Sequence, residues 1–153
     1  MGEEISDIIK EKTSADHLLY VSLKYTKTCD VILNLIARWK SMIEISFDFL
    51  LEQAKKQKKI PNLPNSPKEK ILFMKKYFKK QEAIQETVPL YIFFKRIPEL
   101  NKTREGEFRK NVNLKIMESD DKITEINMEK LAEYAEILER FISEVKHLLS
   151  KWE

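Results

Sequence analysis

Met128, Leu131, Ala135, Leu138, Ile142, Val145, Leu149 and Trp152 recur at alternating steps of three and four residues. That is the period of one helical face, held for more than three heptads. Tyr134, Ile137, Phe141 and Leu148 broaden it, and Asn127 is placed to cap its start. Such a face must be buried along its whole length, either against other helices of the same chain or in an antiparallel contact with a second subunit. The first arrangement is the expected one. Residues 29–58 carry a still wider stripe. Ile32, Leu35, Ile36, Trp39, Ile43, Phe47, Leu50 and Ala54 mark one face, and Val31, Met42, Phe49 and Leu51 extend it around the helix. A helix apolar over most of its circumference belongs at the centre of a bundle or forms both a core and an oligomer interface.

Further helical segments are expected. Ile5, Ile8 and Ile9 suggest a short one over residues 3–12, with Thr13-Ser14 as a break and Ser14 as the cap of the next segment, which either bends near residues 26–28 or runs through. Ser66-Pro67-Lys68-Glu69 is the clearest local signal: an N-cap serine, proline at the first helical position and glutamate three residues after the cap. It predicts a helix over residues 67–81 with Ile71, Met74, Tyr77 and Phe78 inward. Thr87-Val88-Pro89 is read as the start of another, closed by Pro98. Val112, Leu114 and Ile116 alternate with polar residues, and Ile123 and Ile126 follow Ser119-Asp120-Asp121, the pattern of a β-hairpin over residues 112–126. A frayed helix is the competing reading there. The expected fold class is therefore mainly α, a four- to five-helix bundle with a short hairpin, as one domain over residues 1–153 in which residues 1–13 form a candidate appendage.

The chain has 153 residues, of which 42% are apolar and 35% charged, with only two glycines. This excludes a disordered or collagen-like chain and a glycine-rich phosphate loop, and it allows a core that needs neither metal nor disulfide. Arg38, Lys40, Glu44 and Asp48 interrupt the longest apolar stretch, so no membrane span is expected. Cys29 is the only cysteine, which fits a cytoplasmic chain without internal disulfides. Met1-Gly2 with Ser6 looks like a myristoylation start only superficially, and the acidic first residues lack the apolar core of a signal peptide. With one cysteine and two distant histidines, no structural zinc site is expected, and neither is any other cofactor. Glu144 and His147 share the Glu-x-x-His spacing of di-iron bundles, but no second copy exists, and a solvated surface is the simpler reading.

Charge is the one feature that points to a partner. Between residues 55 and 80 ten lysines face the single acid Glu69, a net of +9, whereas residues 118–153 carry −5. Lys55, Lys56, Lys58, Lys59, Lys68, Lys75, Lys76, Lys79 and Lys80 could follow a phosphate backbone, with Tyr77 or Phe78 stacking on a base. The simpler reading is a solvated face above two core aromatics, or a complement to the acidic last helix in a dimer.

The order of elements adds a resemblance. A long apolar helix ends in Ser46-Phe47-Asp48-Phe49-Leu50-Leu51-Glu52-Gln53-Ala54, a capped helix begins at Ser66-Pro67-Lys68-Glu69, an arginine-containing charged segment follows, and the chain closes on a helix containing residues 131–142. This layout, over about residues 15–150, resembles the HEPN superfamily of small helical proteins from prokaryotes. The resemblance implies a homodimer and a role in defence or toxin–antitoxin systems, as an RNA-cleaving enzyme or a non-catalytic partner. The family's active motif is arginine, four to six residues, then histidine. Phe108-Arg109-Lys110-Asn111 looks like its arginine end, but Leu114, Lys115 and Ile116 stand where histidine is required, and counting from Arg104 also meets none. Arg109 could stabilise charge on a phosphorane, yet Lys115 is a poor general base. Arg104, Arg109 and Lys110 therefore enter as candidate phosphate contacts, with ion pairs to Glu105 and Glu107 as the simpler reading for the two arginines. The expectation is a non-catalytic, dimeric helical module acting through RNA or a protein partner. A metal-independent ribonuclease using Arg109 and a purely structural interaction protein are the alternatives.

Overall fold

The computed structural model describes residues 2–151, and side chains from residue 5 onward. Trp152, expected to close the last heptad, lies outside the described residues. The chain is mainly helical, with one small antiparallel sheet. Its elements are α1 (Gly2–His17), a π-helical turn (Leu18–Ser22), the single turn α2 (Leu23–Tyr25), α3 (Cys29–Lys56), α4 (Pro67–Tyr77), α5 (Glu82–Arg96), a 3₁₀ turn (Ile97–Glu99), β1 (Asn101–Glu105), β2 (Asn113–Ser119), β3 (Lys122–Asn127) and α6 (Met128–Lys151).

The wide stripe of α3 is explained by its position. α1, α4, α5, α6 and β2 all pack against it. Ile32, Leu35, Trp39, Ile43, Phe47 and Leu50 are buried, while Val31, Leu33, Ile45 and Phe49 are partly covered at the margin of the same core. Trp39 stacks on Phe94 of α5 at 6.2 Å and meets Tyr134 of α6 edge-on at 6.4 Å. Two turns further along α3, Phe47 makes edge contacts with Tyr91 of α5 and Phe141 of α6, at 5.4 and 5.8 Å. Two aromatic triads thus bind the same three helices at two levels.

α1 differs from expectation. It runs without a break through Thr13-Ser14, so Ser14 caps nothing. The local capping preference loses to packing: Ile8 and Ala15 are buried, and Lys12 bridges Asp16 at 2.8 Å and Glu139 of α6 at 2.7 Å. The irregularity comes later, where the Leu23 N–H donates to Leu18 O five residues back. Of the two courses open at residues 26–28, the chain takes the bend, and Thr28 Oγ1 accepts from Val31 N at 3.3 Å to cap α3.

Ser66 caps α4 as predicted, accepting from Glu69 N at 3.1 Å, although the Glu69 carboxylate reaches Asn65 N rather than Ser66 N. α5 begins at Glu82, not at Thr87. Pro89 lies inside the helix on its exposed side, where the carbonyl that it deprives of a partner can meet water. Asn127 Oδ1 accepts from Lys130 N at 2.9 Å, the expected cap of α6.

The hairpin is real but belongs to a three-stranded sheet of order β1-β2-β3. β1 pairs with β2 from Asn101↔Met117 to Glu105↔Asn113. Its sequence, Asn101-Lys102-Thr103-Arg104-Glu105, contains no apolar residue and is largely exposed, so no alternation marks it as a strand. Leu114, Ile116 and Ile126 form the inward side of the sheet. The β1–β2 loop folds back over the start of α3, where both Glu107 carboxylate oxygens accept from Cys29 N at 3.2–3.3 Å and Cys29 Sγ donates to Asn113 O at 3.6 Å.

These buried protonated groups set an alkaline limit on stability. Burial, and then the Glu107 carboxylate beside it, pushes the Cys29 thiol from its ordinary 9.0 up to about 11. Burial, helped by Glu118 and Glu133, pushes the Tyr134 hydroxyl from 10.0 to about 12, and burial with Glu44 and Asp48 raises Tyr91 as well. A folded-state pKa above the unfolded one means stability that is complete below the unfolded value and is lost as pH rises through the folded one. The melting midpoint followed by circular dichroism should therefore be insensitive to these groups up to about pH 9 and fall continuously from there towards pH 12. A midpoint that holds or rises across that window would contradict this assignment.

Candidate nucleic-acid interface

The predicted cationic residues divide between the two ends of α3. Its 28 residues span about 40 Å at the helical rise of ~1.5 Å per residue. The lysines of residues 55–80 lie at its C-terminal end and on α4. Arg104, Arg109 and Lys110 belong to β1 and the β1–β2 loop, beside its N-terminal end. The candidate set is not one surface.

At the lysine end, local backbone geometry places the charges. The Lys59 N–H donates to Ala54 O at 2.8 Å and the Lys58 N–H to Lys55 O at 3.0 Å. This is a Schellman closure of α3, with Lys58 in the left-handed conformation at φ 59° where glycine is usual. Ile60 turns into the core while Lys55, Lys56, Lys58 and Lys59 remain exposed. The proline-containing loop then leads to Ser66 and α4, which carries Lys68, Lys75 and Lys76, with Lys79 and Lys80 just beyond its end. All nine of the proposed lysines are exposed.

Two of the local acids are already engaged. Asp48 pairs with Lys70 at 2.6 Å, and Glu69 is held by the α4 cap. Among the described residues, no carboxylate pairs with Lys55, Lys56, Lys58, Lys75, Lys79 or Lys80. Lys55 and Lys56 close α3, and Lys75 and Lys76 close α4, so each pair also complements a helix dipole.

Of the two readings of the aromatics, the core one holds for Phe78. Phe78 is buried, and Tyr77 is half-buried, edge-on to Phe73 at 5.4 Å with the Lys76 ammonium 5.2 Å from its ring. The Gln85 amide donates to Met74 O and Phe78 O at 3.1 and 2.9 Å, which ties the end of α4 to α5. No base can stack on Phe78 in this arrangement. Lys151, missed because it lies in the acidic terminal segment, lines a cleft of about 200 Å³ with Lys59 and Tyr77. Helical phase alone could have suggested it, but not its neighbours.

At the other end, Arg104 pairs with Asp30 of α3 at 2.6 Å, not with Glu105 or Glu107. Glu105 pairs instead with Lys115 at 3.2 Å, and Lys115 also lies 3.8 Å from Glu125. Arg109 and Lys110 are exposed in the loop. Arg109 N donates to Gly106 O, and Val112 N to Arg109 O, both at 3.0 Å. Gly106 is obligatory here: its φ is +65°, and a Cβ would come within 2.7 Å of Asn111 O. Arg109 therefore stands on a tight loop, and Lys115, on β2, is held between two carboxylates. Cys29 is buried with its sulfur turned to a backbone carbonyl and is not placed as a nucleophile. Among the described residues, no helix is long and apolar enough to cross a membrane.

The chain matches no protein-family model, no curated protein and no solved structure.

Proposed function

We propose that this protein is a non-catalytic helical-bundle module that binds single-stranded RNA through the lysine-rich end formed by the C-terminus of α3 and by α4. The observation that carries the reading is the set of nine exposed lysines on the end of α3, on α4 and just beyond each of them, where Asp48 and Glu69 are already occupied. Such a surface neutralises phosphates with little regard to sequence, and binding releases the condensed counterions. The non-catalytic part rests on chemistry: Arg109 can hold a phosphate, but Lys115, which stands where the motif requires histidine, is tied to carboxylates and supplies no general base for the 2′-hydroxyl.

Fluorescence anisotropy with a labelled single-stranded RNA tests this. Binding is expected at low salt, with a steep loss as salt is raised and with the RNA intact on a gel afterwards. Absence of binding at the lowest salt would overturn the RNA assignment. Cleaved RNA, lost in an Arg109→Ala variant, would overturn the non-catalytic one.

A further inference from the structure

The two most exposed large apolar side chains among the described residues are Tyr25, 78% exposed, and Phe108, 74% exposed. They are far apart in sequence but lie at one corner of the fold. Phe108 N donates to Lys27 O at 2.6 Å, two residues from Tyr25, so the β1–β2 loop is docked on the turn between α2 and α3. Phe108 has a φ of 66°. A bulky aromatic residue is a genuine outlier in that region, and the conformation is unfavourable to it. The loop holds this backbone while the ring gains little cover. A loop serving only as a connection would carry glycine or asparagine there.

The charges around the rings are unbalanced in one direction. Each acid of the corner is occupied: Asp30 by Arg104, Glu105 by Lys115, and Glu107 by the first amide of α3. Among the described residues, Lys24, Arg109 and Lys110 have no carboxylate partner, and the Lys24 ammonium lies 5.8 Å from the Tyr25 ring. Exposed rings among unpaired cations are the combination that single-stranded nucleic acids use, because every base has a face to stack and every nucleotide a phosphate to neutralise.

We propose that Tyr25 and Phe108 form a base-stacking site for single-stranded RNA, flanked by Lys24, Arg109 and Lys110 as phosphate contacts. The site lies at the opposite end of α3 from the lysine surface. It rests on the reading of the protein as an RNA-binding module and supplies the base contact that buried Phe78 cannot make. Rigid presentation matters, since Glu107, Gly106 and the Lys27 carbonyl fix the loop before the ligand arrives.

The test compares the full chain with Phe108→Gly and Tyr25→Ala variants, using single-stranded and duplex RNA of one sequence. Phe108→Gly should melt at or above the wild-type temperature, because glycine suits φ 66°. It should bind single-stranded RNA roughly 10-fold more weakly, with an unchanged salt slope and an unchanged affinity for duplex RNA, whose bases are already stacked. Tyr25→Ala should weaken single-strand binding in the same way. A lower melting point for Phe108→Gly would assign the ring to packing and overturn the proposal. Wild-type affinity in both variants, while charge removal at the lysine end weakens binding, would overturn the stacking site alone and leave the corner to a protein contact. Failure of the wild-type chain to bind either RNA would overturn both readings.

Discussion

Replacing Lys75, Lys76, Lys79 and Lys80 by glutamine is expected to weaken single-stranded RNA binding about 100-fold at roughly 50 mM salt, without unfolding the protein. All four side chains are exposed, and none has a carboxylate partner among the described residues, so the fold loses little when their charge is removed. Surface changes of this kind usually alter stability by no more than about 0.5 kcal/mol each. Glutamine is preferable to glutamate because Lys75 and Lys76 close α4, and a negative charge there would oppose the helix dipole. Lys76 also lies over the Tyr77 ring, a contact that glutamine weakens but that does not hold Phe78 in place. The affinity change is checked by anisotropy and retention of the fold by circular dichroism. If the variant binds like the wild type, the lysines only keep this end hydrated.

Phe47→Ala should cost about 3–5 kcal/mol, measured by urea unfolding. Phe47 is fully buried and touches Tyr91 and Phe141, so it joins α3, α5 and α6 at one point. Removing the ring leaves a cavity that three packed helices close only in part, and it also removes two edge-on aromatic contacts. A loss below about 1 kcal/mol would mean that this level of the core collapses freely and that the upper triad of Trp39, Phe94 and Tyr134 carries the helix packing alone. The variant separates fold from function, since no proposed RNA contact lies within it.

The parts of this structure that could be read from sequence are those decided within a few residues. Ser66-Pro67-Glu69 specifies its own cap, Asn127 specifies another, and the three-four spacing of α6 holds over its length. The breadth of the α3 stripe correctly placed that helix at the centre, because no other position covers it on so many sides. Local signals failed where distant partners overruled them. Thr13-Ser14 could cap a helix, but Lys12 and Ala15 are held by contacts with the rest of the fold, and α1 continues. β1 has no apolar residue to announce it and exists because β2 offers an edge.

The candidate site was legible as charge and not as geometry. The +9 segment is plain in the sequence. That Arg109 and Lys110 belong to the far end of α3 follows from the length of that helix and from the loop's return to Lys27, neither of which residue types can reveal. Phe78 is expected inward from its helical phase, with stacking on a base as the alternative, and it is buried. Phe108 carries no role in the sequence reading, and its left-handed backbone with an exposed ring is visible only in the fold.

The central claim is that the lysine end makes direct phosphate contacts, and the salt dependence of RNA affinity tests it most directly. Each contact contributes about −0.7 to the slope of log affinity against log salt for single strands. The wild-type slope should lie between about −3 and −6, and the four-lysine variant should be shallower by about 3. Equal slopes in the two proteins, or a wild-type slope near zero, would contradict the claim.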